Sequence, residues 1–414
     1  MIRTIHRAKF VLAESDLLLQ NAAVHVCDPG RISRVEPWHS PPASDNVEVV
    51  DWGSAIILPG LVNAHTHLEL TRLHQQLTEF SSFTDWLSQL IQKRRLWTTE
   101  DYVESVRQGA ELSLASGTTL VGDISASGAS APALKTSGLR KVVFQEVLGL
   151  FPEKAAESAT GLDARLELVS PDSLLTYGVS PHAPYSVAPE LYRAAAQTAC
   201  QRRIPLATHL AETREEREFL GSGSGEFRDF MVRLGALPHD WKPPGLAPIP
   251  YLDSLGALLP STLLVHCNYL DRESMATILH SRSSIAYCPR SHAFFGHEEH
   301  PVRELLDMGV NVALGTDSLA SNCSLSILDE MRFLFRSRKD LRCQEIIRMA
   351  TLNGASALHF GGVLGRLRRG YWADMTILQL PESAGAKYLT SQILEGAGEC
   401  TGTIVQGEVA WHKT

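Results

Sequence analysis

Residues 57–67 read ILPGLVNAHTH and decide the fold, because an apolar run ends there in two histidines placed two positions apart. Side chains at positions i and i+2 of a β-strand point to the same face of a sheet. We therefore expect His65 and His67 to face the same way at the carboxyl end of a strand. Two neutral imidazoles on one face form half of a transition-metal site, although such a pair also arises by chance among ordinary strand residues.

Seven further apolar segments follow the first, and helical patterns fill the intervals between them. Several are nearly uninterrupted apolar runs, as is typical of strands that are covered on both faces. Strands and helices that alternate eight times predict an α/β fold, a (β/α)8 or TIM barrel over residues 58–360. The predicted strands are residues 56–67, 118–125, 141–149, 174–182, 205–212, 262–268, 284–290 and 310–318.

The two ends of the chain do not fit this barrel, because residues 1–57 and 361–414 carry short strand patterns separated by turns. Neither end is long enough to form a comfortable sandwich by itself. We therefore predict that both termini pair into one small β-sandwich domain beside the barrel. Residues 221–250 are rich in Gly and Pro and predict a long excursion on the rim, where barrel enzymes build their pockets.

Three later strands also end in ionisable side chains. The fifth ends at His209, with Glu212 three residues on, the sixth at His266 and the eighth at Asp317. The carboxyl ends of barrel strands meet at one mouth, where the active sites of such barrels lie. The first strand adjoins the eighth in a closed barrel, so the two histidines of the first strand can converge with His209 and Asp317 around one ion.

Composition narrows the range of partners. A formal net charge of −8 makes a nucleic acid an unexpected partner. The seven cysteines are scattered without a Cys-x-x-Cys pair, which argues against a disulfide framework or a structural zinc knot. No apolar run approaches the ~20 residues of a membrane span, and the start lacks a secretion-signal pattern. We expect a cytoplasmic protein that acts on a small molecule, with no membrane partner.

These motifs together resemble the amidohydrolase superfamily. The resemblance includes residues 57–67, the His-x-x-Glu motif at 209–212, Val-His-Cys at 265–267, Gly-Thr-Asp at 315–317 and a tail motif, GRLRRGYWAD, at 365–374. It covers essentially the whole chain. It implies a metal-dependent hydrolase whose divalent ion is held by four ligands, His65, His67, His209 and Asp317.

The fourth strand indicates how many ions are bound. Two-metal members of the superfamily carry a carbamylated lysine there, whereas residues 179–185 read VSPHAPY. One ion is therefore the better interpretation. The Pro-His-Ala-Pro-Tyr sequence and the His-x-x-Glu motif resemble the mononuclear aminohydrolase branch, which includes adenosine-like deaminases and the chlorohydrolases of triazine breakdown.

Zinc is the preferred ion for a site of three imidazoles and a carboxylate, and iron(II) is the alternative. The resemblance implies that Asp317 both ligates the ion and accepts a proton from the attacking water. Glu212 would carry that proton to a ring nitrogen, as general base and then acid. We assign His266 to a catalytic hydrogen bond that steadies the developing oxyanion, although an imidazole there can also act as a fifth ligand.

Four other side chains are candidates for substrate contacts. His182 lies beside two prolines, and a structural histidine is an equal alternative. Glu69 lies two residues after His67, so it is expected to point inward as His67 does. We favour a hydrogen bond between Glu69 and a sugar hydroxyl or exocyclic amine over the alternative, a carboxylate on the rim without a substrate contact. Trp86 lies where related deaminases have an aromatic residue, although core packing is the common alternative. Arg290 is predicted to pair with a substrate carboxylate or to form a rim salt bridge.

The activity that these expectations support is hydrolytic deamination of an amino-substituted heteroaromatic ring, with release of ammonia. The preferred substrate is an adenine nucleoside derivative of the adenosine, S-adenosylhomocysteine or aminodeoxyfutalosine type, and residues 318–330 are similar to those of aminodeoxyfutalosine deaminases. The adenosine-type branch more often has Asn where His292 stands, so the exact substrate stays open.

Alternatives within the same fold are a guanine or cytosine deaminase and a triazine-type chlorohydrolase, because barrel loops choose the substrate. An alternative of another class is an inactive homologue that serves as a scaffold. Such homologues usually lose metal ligands, and the motifs here retain all four. The resemblance also implies a homodimer.

Overall fold

The computed structural model describes residues 2–40 and 46–413, and its elements are numbered in chain order. No helix in this part of the chain is both long and apolar enough to cross a membrane. The strands are β1 (Ile2–Glu14), β2 (Leu17–Cys27), β3 (Arg31–Pro37), β4 (Glu48–Asp51), β5 (Ala55–Pro59), β6 (Leu61–Thr66), β7 (Thr118–Ser125), β8 (Arg140–Val147), β9 (Leu175–Pro181), β10 (Leu206–Leu210), β11 (Thr262–His266), β12 (Ser284–Tyr287), β13 (Asn311–Leu314), β14 (Met375–Gln379), β15 (Glu399–Val405) and β16 (Glu408–His412).

Fifteen α-helices connect and flank the strands in the described part of the chain. They are α1 (Phe83–Arg94), α2 (Thr99–Ala115), α3 (Ser130–Leu134), α4 (Ala155–Glu167), α5 (Pro189–Arg202), α6 (Arg214–Ser222), α7 (Glu226–Arg233), α8 (Pro248–Ser254), α9 (Arg272–Ser281), α10 (Pro289–Phe294), α11 (Val302–Met308), α12 (Ile327–Ser337), α13 (Cys343–Arg348), α14 (Gly354–Ala357) and α15 (Leu389–Glu395).

The eight strands β6 to β13 form one parallel sheet in sequence order, which confirms the predicted barrel. Its two ends meet where the backbone amides of Thr316 and Asp317 donate to the carbonyl oxygen of His65, at 3.0 and 3.1 Å. Gly315 permits this approach, because a Cβ at that position would lie 2.9 Å from the same carbonyl oxygen. The closure therefore brings the last strand of the barrel against the histidine-bearing end of the first.

Alternate residues of the barrel strands pack into different apolar clusters, as the two-residue period of a strand requires. One cluster joins the strands with each other and with α14, and contains Val62, Leu120, Val142, Phe144, Ala207, Val265, Ala286 and Ala313. The other joins the strands to the surrounding helices, and contains Leu61, Val121, Val143, Leu264, Ile285, Val312, Val106, Leu191 and Ile278. Both faces of the sheet are covered, which explains the nearly continuous apolar runs in the sequence.

The predicted domain built from both termini is also present. Its strands form one mixed sheet in the order β16-β15-β14-β5-β1-β2-β3, and β4 pairs with β1. Val11 and Ile57 belong to an apolar cluster within this domain, whereas their neighbours Phe10 and Ile56 pack into the main cluster of the barrel. One face of the sheet therefore forms the core of the small domain while the other face packs on the barrel.

A buried ion pair also connects the two parts. Arg140, at the start of β8, donates from Nε and Nη2 to the two carboxylate oxygens of Asp374, at 2.9 and 3.0 Å. Both side chains are almost completely buried. The backbone amide of Gln406 donates to the same aspartate at 2.8 Å, so the carboxylate bridges the barrel and the C-terminal strands.

The Asp374→Asn variant tests the strength of this bridge. Removing one partner of a buried pair leaves an uncompensated charge, so we expect the free energy of unfolding to fall by about 3–5 kcal/mol. Denaturant titration measures this loss, and Asp16→Asn, in an exposed turn, serves as the control. A loss of less than about 1 kcal/mol, the size of an exposed pair, would contradict this view of the bridge.

Candidate metal centre and active site

His65 and His67 lie at the end of β6 and face one cluster of ionisable side chains, as their spacing predicts. Their ring centroids are 4.8 Å apart, and His65 is completely buried. The pairing of β6 with β7 shifts register between Asn63 and Thr66. Ala64 packs in the apolar cluster of the strands, whereas the adjacent His65 faces the candidate metal site.

His209 ends β10 and approaches the first two histidines. Its Nε2 atom lies 3.3 Å from Nε2 of His67. The other nitrogen, Nδ1, is 3.0 Å from the carbonyl oxygen of His182, an acceptor that holds the proton on Nδ1. A neutral imidazole fixed in this way leaves the lone pair of Nε2 free to bind a metal.

Asp317 follows β13 with a positive φ of 58°. Its Oδ1 atom lies 3.7 Å from Nε2 of His65 and 3.6 Å from Nε2 of His67. Its Oδ2 atom accepts hydrogen bonds from the hydroxyls of Ser291 and Ser321, at 2.7 and 2.8 Å. The two hydroxyls hold one oxygen of the carboxylate and leave the other directed at the histidines.

The donor set fits a divalent cation. Both ring nitrogens of His65 are buried and have no hydrogen-bond partner among residues 2–40 and 46–413. An unpaired buried nitrogen of this kind costs about 1–3 kcal/mol in the absence of a ligand. Burial and the imidazole of His65 hold the pKa of His67 well below its usual value, which favours the neutral form that metals bind. Three imidazoles and one carboxylate match the ligands of catalytic zinc sites.

Glu212 and His266 lie next to this set. Nε2 of His266 is 3.4 Å from Oε1 of Glu212, and both side chains are buried. His266 lies beside the candidate metal ligands, and its positive φ of 70° departs from strand geometry. A ring nitrogen of His266 also lies within 4.8 Å of ring nitrogens of His65 and His209. Its assignment to a catalytic hydrogen bond rather than to the ion stays a prediction.

A cavity of about 440 Å³ opens above these residues and matches the usual volume of a small-molecule site. Trp86 forms part of its wall, and the indole nitrogen donates to the carbonyl of Ala320 at 3.3 Å. His182 also lines the cavity, with Nδ1 2.6 Å from the hydroxyl of Ser186. Phe230 and Met231, from the predicted rim excursion, contribute apolar surface.

The other two predicted substrate contacts differ in position. Glu69 lines the cavity, but its carboxylate accepts hydrogen bonds from the hydroxyls of Ser125 and Ser127 and from the amides of Ala126 and Ser127, at 2.6–3.3 Å. These bonds anchor the loop after β7, and a substrate contact by Glu69 stays a prediction. Arg290 lines a separate cavity of about 550 Å³ and donates to the hydroxyl of Ser324, so it lies outside the metal-centred pocket.

Sequence reasoning did not identify several residues that the structure brings to this site. Ser291 and Ser321 support Asp317, yet neither belongs to a motif that names its partner. Arg94 and Glu146 line the cavity. Arg94 had one available signal, since Trp86 and Arg94 are eight residues apart on a helix and share a face at i, i+4, i+8 spacing.

Comparison with known proteins identifies the family of this chain. The family model described as the amidohydrolase family matches residues 56–410. A 5-methylthioadenosine/S-adenosylhomocysteine deaminase of Syntrophobacter fumaroxidans is 31% identical over 395 residues, which cover 88% of this chain and 85% of that protein. The resemblance predicted from the motifs is confirmed.

Two solved structures are similar along their whole length. An aminofutalosine deaminase from Helicobacter pylori, in complex with methylthio-coformycin, has a TM-score of 0.86 and 25% identity, covering 98% of this chain and 99% of that chain. An adenosine deaminase from Xanthomonas campestris with bound zinc has a TM-score of 0.83 and 25% identity, covering 99% and 92%.

His209→Ala tests whether the four residues act as one metal site. Loss of one of the four proposed ligands weakens metal binding, so the purified variant should lose most of its metal. Elemental analysis measures this, with His280→Ala, an exposed histidine of α9, as the control. Equal metal content in the two variants would mean that His209 is not a ligand.

The Ser291→Ala, Ser321→Ala double variant tests the hydroxyl support of Asp317. Oδ2 would lose both donors, and loss of partners that orient a metal ligand typically weakens metal binding by about 10–100-fold. Competition with a chelator measures the affinity for zinc, and Ser222→Ala, an exposed serine, is the control. An affinity unchanged in the double variant would show that the hydroxyls do not position the carboxylate.

Proposed function

We propose that this chain, which belongs to the amidohydrolase family, is a metal-dependent hydrolase that releases ammonia from an amino-substituted heteroaromatic ring. The observation that carries the proposal is that His65 lies within metal-binding distance of His67 and Asp317 and also of His209. This cluster borders a cavity that is lined by Glu212 and His266. The similar proteins are named as deaminases, which supports hydrolysis of a C–N bond.

The proposed ion is held by His65, His67, His209 and Asp317. Zinc is preferred over iron(II), because the similar adenosine deaminase has bound zinc and the ligands are typical of catalytic zinc. When bound, such an ion supplies Lewis acidity that lowers the pKa of a water molecule, to about 7 in favourable sites. We assign to Asp317 the acceptance of a proton from the attacking water at Oδ1, while its Oδ2 stays bound to the two serines.

Glu212 is the proposed proton carrier. Burial raises its pKa well above the usual value, and the nearby Asp317 and Glu216 raise it further. A carboxyl group in this environment retains a proton that it can donate to a ring nitrogen, which is the step that prepares the amine to leave. The backbone amide of Glu212 donates to the carboxylate of Glu216 at 2.8 Å, and this contact fixes the position of the residue.

His266 is proposed to donate a hydrogen bond to the oxygen that gains charge during attack. Burial lowers its pKa to about 3, so the ring is neutral and retains one N–H donor. His300 Nε2 lies 2.9 Å from the carbonyl oxygen of His266, which supports its unusual backbone conformation. Neutral donors that are fixed before the reaction stabilise developing charge without the cost of reorganisation.

The proposed substrate is an adenine nucleoside derivative. The names of the similar proteins include 5-methylthioadenosine, S-adenosylhomocysteine, aminofutalosine and adenosine, which all contain a 6-aminopurine ring. A cavity of about 440 Å³ with an aromatic wall at Trp86 is consistent with a stacked purine. Guanine or cytosine deamination and triazine dechlorination remain the alternatives that a substrate panel separates, and a homodimer stays a prediction.

Ammonia release from a panel of nucleosides and triazines, with Glu212→Gln as the key variant, tests this proposal. The wild-type protein should act on 6-aminopurine nucleosides, and the variant should retain the metal while kcat falls by about 100-fold or more, because it cannot carry the proton. Glu215→Gln, on the adjacent helix and outside the cavity, is the matched control.

Three outcomes would contradict the proposal. A wild-type protein with bound zinc that is inactive with every 6-aminopurine nucleoside would exclude the main substrate class. A Glu212→Gln variant with unchanged kcat would exclude Glu212 as the proton carrier. A chain that binds neither zinc nor iron would favour the inactive scaffold.

A further inference from the structure

The cavity above the metal centre contains an arginine that no ion pair neutralises. Arg94 is the last residue of α1, on the same helix face as Trp86 and Leu90, and all three line the cavity. Its Nε donates to the hydroxyl of Tyr102 at 3.3 Å. This is the only hydrogen bond of its side chain among residues 2–40 and 46–413, and no carboxylate in these ranges lies within 4.0 Å of its nitrogens.

Two other arginines near the barrel are engaged through two or more nitrogens. Arg140 binds Asp374 through two nitrogens and the carbonyl of Ser173 through the third. Arg290, which sequence analysis proposed as a carboxylate partner, donates to Ser324 and Cys323 outside this cavity. The guanidinium of Arg94 therefore differs from theirs, since its two terminal nitrogens are available to a ligand.

The guanidinium of Arg94 is half-buried beside apolar side chains, where it can bind a ligand of opposite charge. The lining around Arg94 includes Leu87, Leu90, Ile91 and Phe151. A charge removed from water by such surroundings requires a partner of opposite sign or a set of hydrogen-bond acceptors. Guanidinium groups bind carboxylates through two parallel hydrogen bonds, which are stronger than neutral ones.

Two glutamates, Glu146 and Glu69, lie near Arg94 and help to raise its pKa, but neither forms a direct ion pair with it among the described residues. The carboxylate of Glu69 is occupied by the loop at residues 125–127. Glu146 lines the same cavity, and its Oε1 atom is buried without a hydrogen-bond partner among the described residues. A structural role for Arg94 as a counter-charge would place one of these carboxylates in contact with it, and no such ion pair is present among the described residues.

We propose that Arg94 binds a carboxylate carried by the substrate and so determines specificity for substrates with an acidic side arm. This inference rests on the proposed deaminase function and narrows its substrate class. The amino-substituted ring lies at the metal centre, and the acidic arm extends along the face of α1 that carries Trp86, Leu90 and Arg94.

A carboxylate fits this position better than a phosphate. Arg94 supplies a single positive charge, which neutralises a monoanion but leaves a phosphate dianion with excess charge in an apolar cavity. The carboxylate of Glu69, which lines the same cavity, would also repel a dianion more strongly than a monoanion. The chemistry of the cavity therefore favours a ligand with one negative charge.

Two matched ligand pairs test the proposal, one with a short arm and one with a long arm. They are adenosine 5′-carboxylate with its carboxamide, and S-adenosylhomocysteine with its carboxamide, so that each pair differs mainly in the charge of one group. Adenosine 5′-monophosphate is compared with adenosine to test whether the protein prefers a phosphate. Arg94→Gln removes the charge, Arg94→Lys retains it without the planar fork, and Arg95→Gln, at the exposed neighbouring position, is the control.

The wild-type protein should prefer at least one carboxylate over its carboxamide by about 10- to 100-fold in kcat/KM, as expected for a charged hydrogen bond. Arg94→Gln should abolish this preference through KM, with kcat for the carboxamide changed less than about threefold. Arg94→Lys should restore part of the preference, and Arg95→Gln should retain all of it. Equal use of both members of each pair by the wild type, or a preference for the phosphate alone, would overturn the proposal.

Binding measurements separate this inference from the proposed function. Calorimetric titration of zinc-loaded Glu212→Gln with the same ligands requires no turnover, and comparison with Glu212→Gln, Arg94→Gln isolates the contribution of Arg94. Ammonia release from adenosine or the carboxamides in the wild type tests the deaminase function whether or not Arg94 binds an acid. Failure of both carboxylates to bind more tightly than their carboxamides would overturn the role of Arg94, even in an active deaminase.

Discussion

The hydrogen bonds from Thr316 and Asp317 to the carbonyl oxygen of His65 are the contacts on which the whole site depends. They close the barrel, and they join the first ligand-bearing strand to a segment about 250 positions later in the chain. Closure alone does not make a site, because the side chains at the seam must also have the right chemistry. His65 and Asp317 are themselves the residues that meet there, so one backbone contact completes the fold and assembles two of the proposed ligands.

The electrostatics of the site follow from its burial. Imidazoles that are removed from water and placed beside each other stay neutral, and the pKa of His209 is held well below its usual value by burial and by His65. Burial acts on Glu212 in the opposite direction and raises its pKa. The same low-dielectric surroundings thus favour a metal-binding base at one position and a proton-holding acid at another, which is the pairing that hydrolysis of a ring amine needs.

The sequence predicted the elements that depend on local periodicity. The apolar runs predicted the eight barrel strands because both faces of a parallel sheet are buried, and the terminal strand patterns predicted a domain shared by both ends. The positions of His65, His67, His209 and Asp317 at strand ends were enough to bring them to one mouth. Roles set by loops were harder to predict: Glu69 is bound by the loop after β7, and Arg290 lies in another cavity. The serines that hold Asp317 have no sequence signal, because their contacts depend on how α10 and the loop after β13 approach each other.

A crystal structure of the zinc-loaded protein, with anomalous scattering recorded at the zinc edge, tests whether these four side chains hold one ion. We expect one strong peak, with zinc about 2.0–2.2 Å from nitrogens of His65, His67 and His209 and from an oxygen of Asp317. A peak bound elsewhere in the chain, or a zinc ion that contacts fewer than three of these side chains, would contradict the claim that they form one metal site.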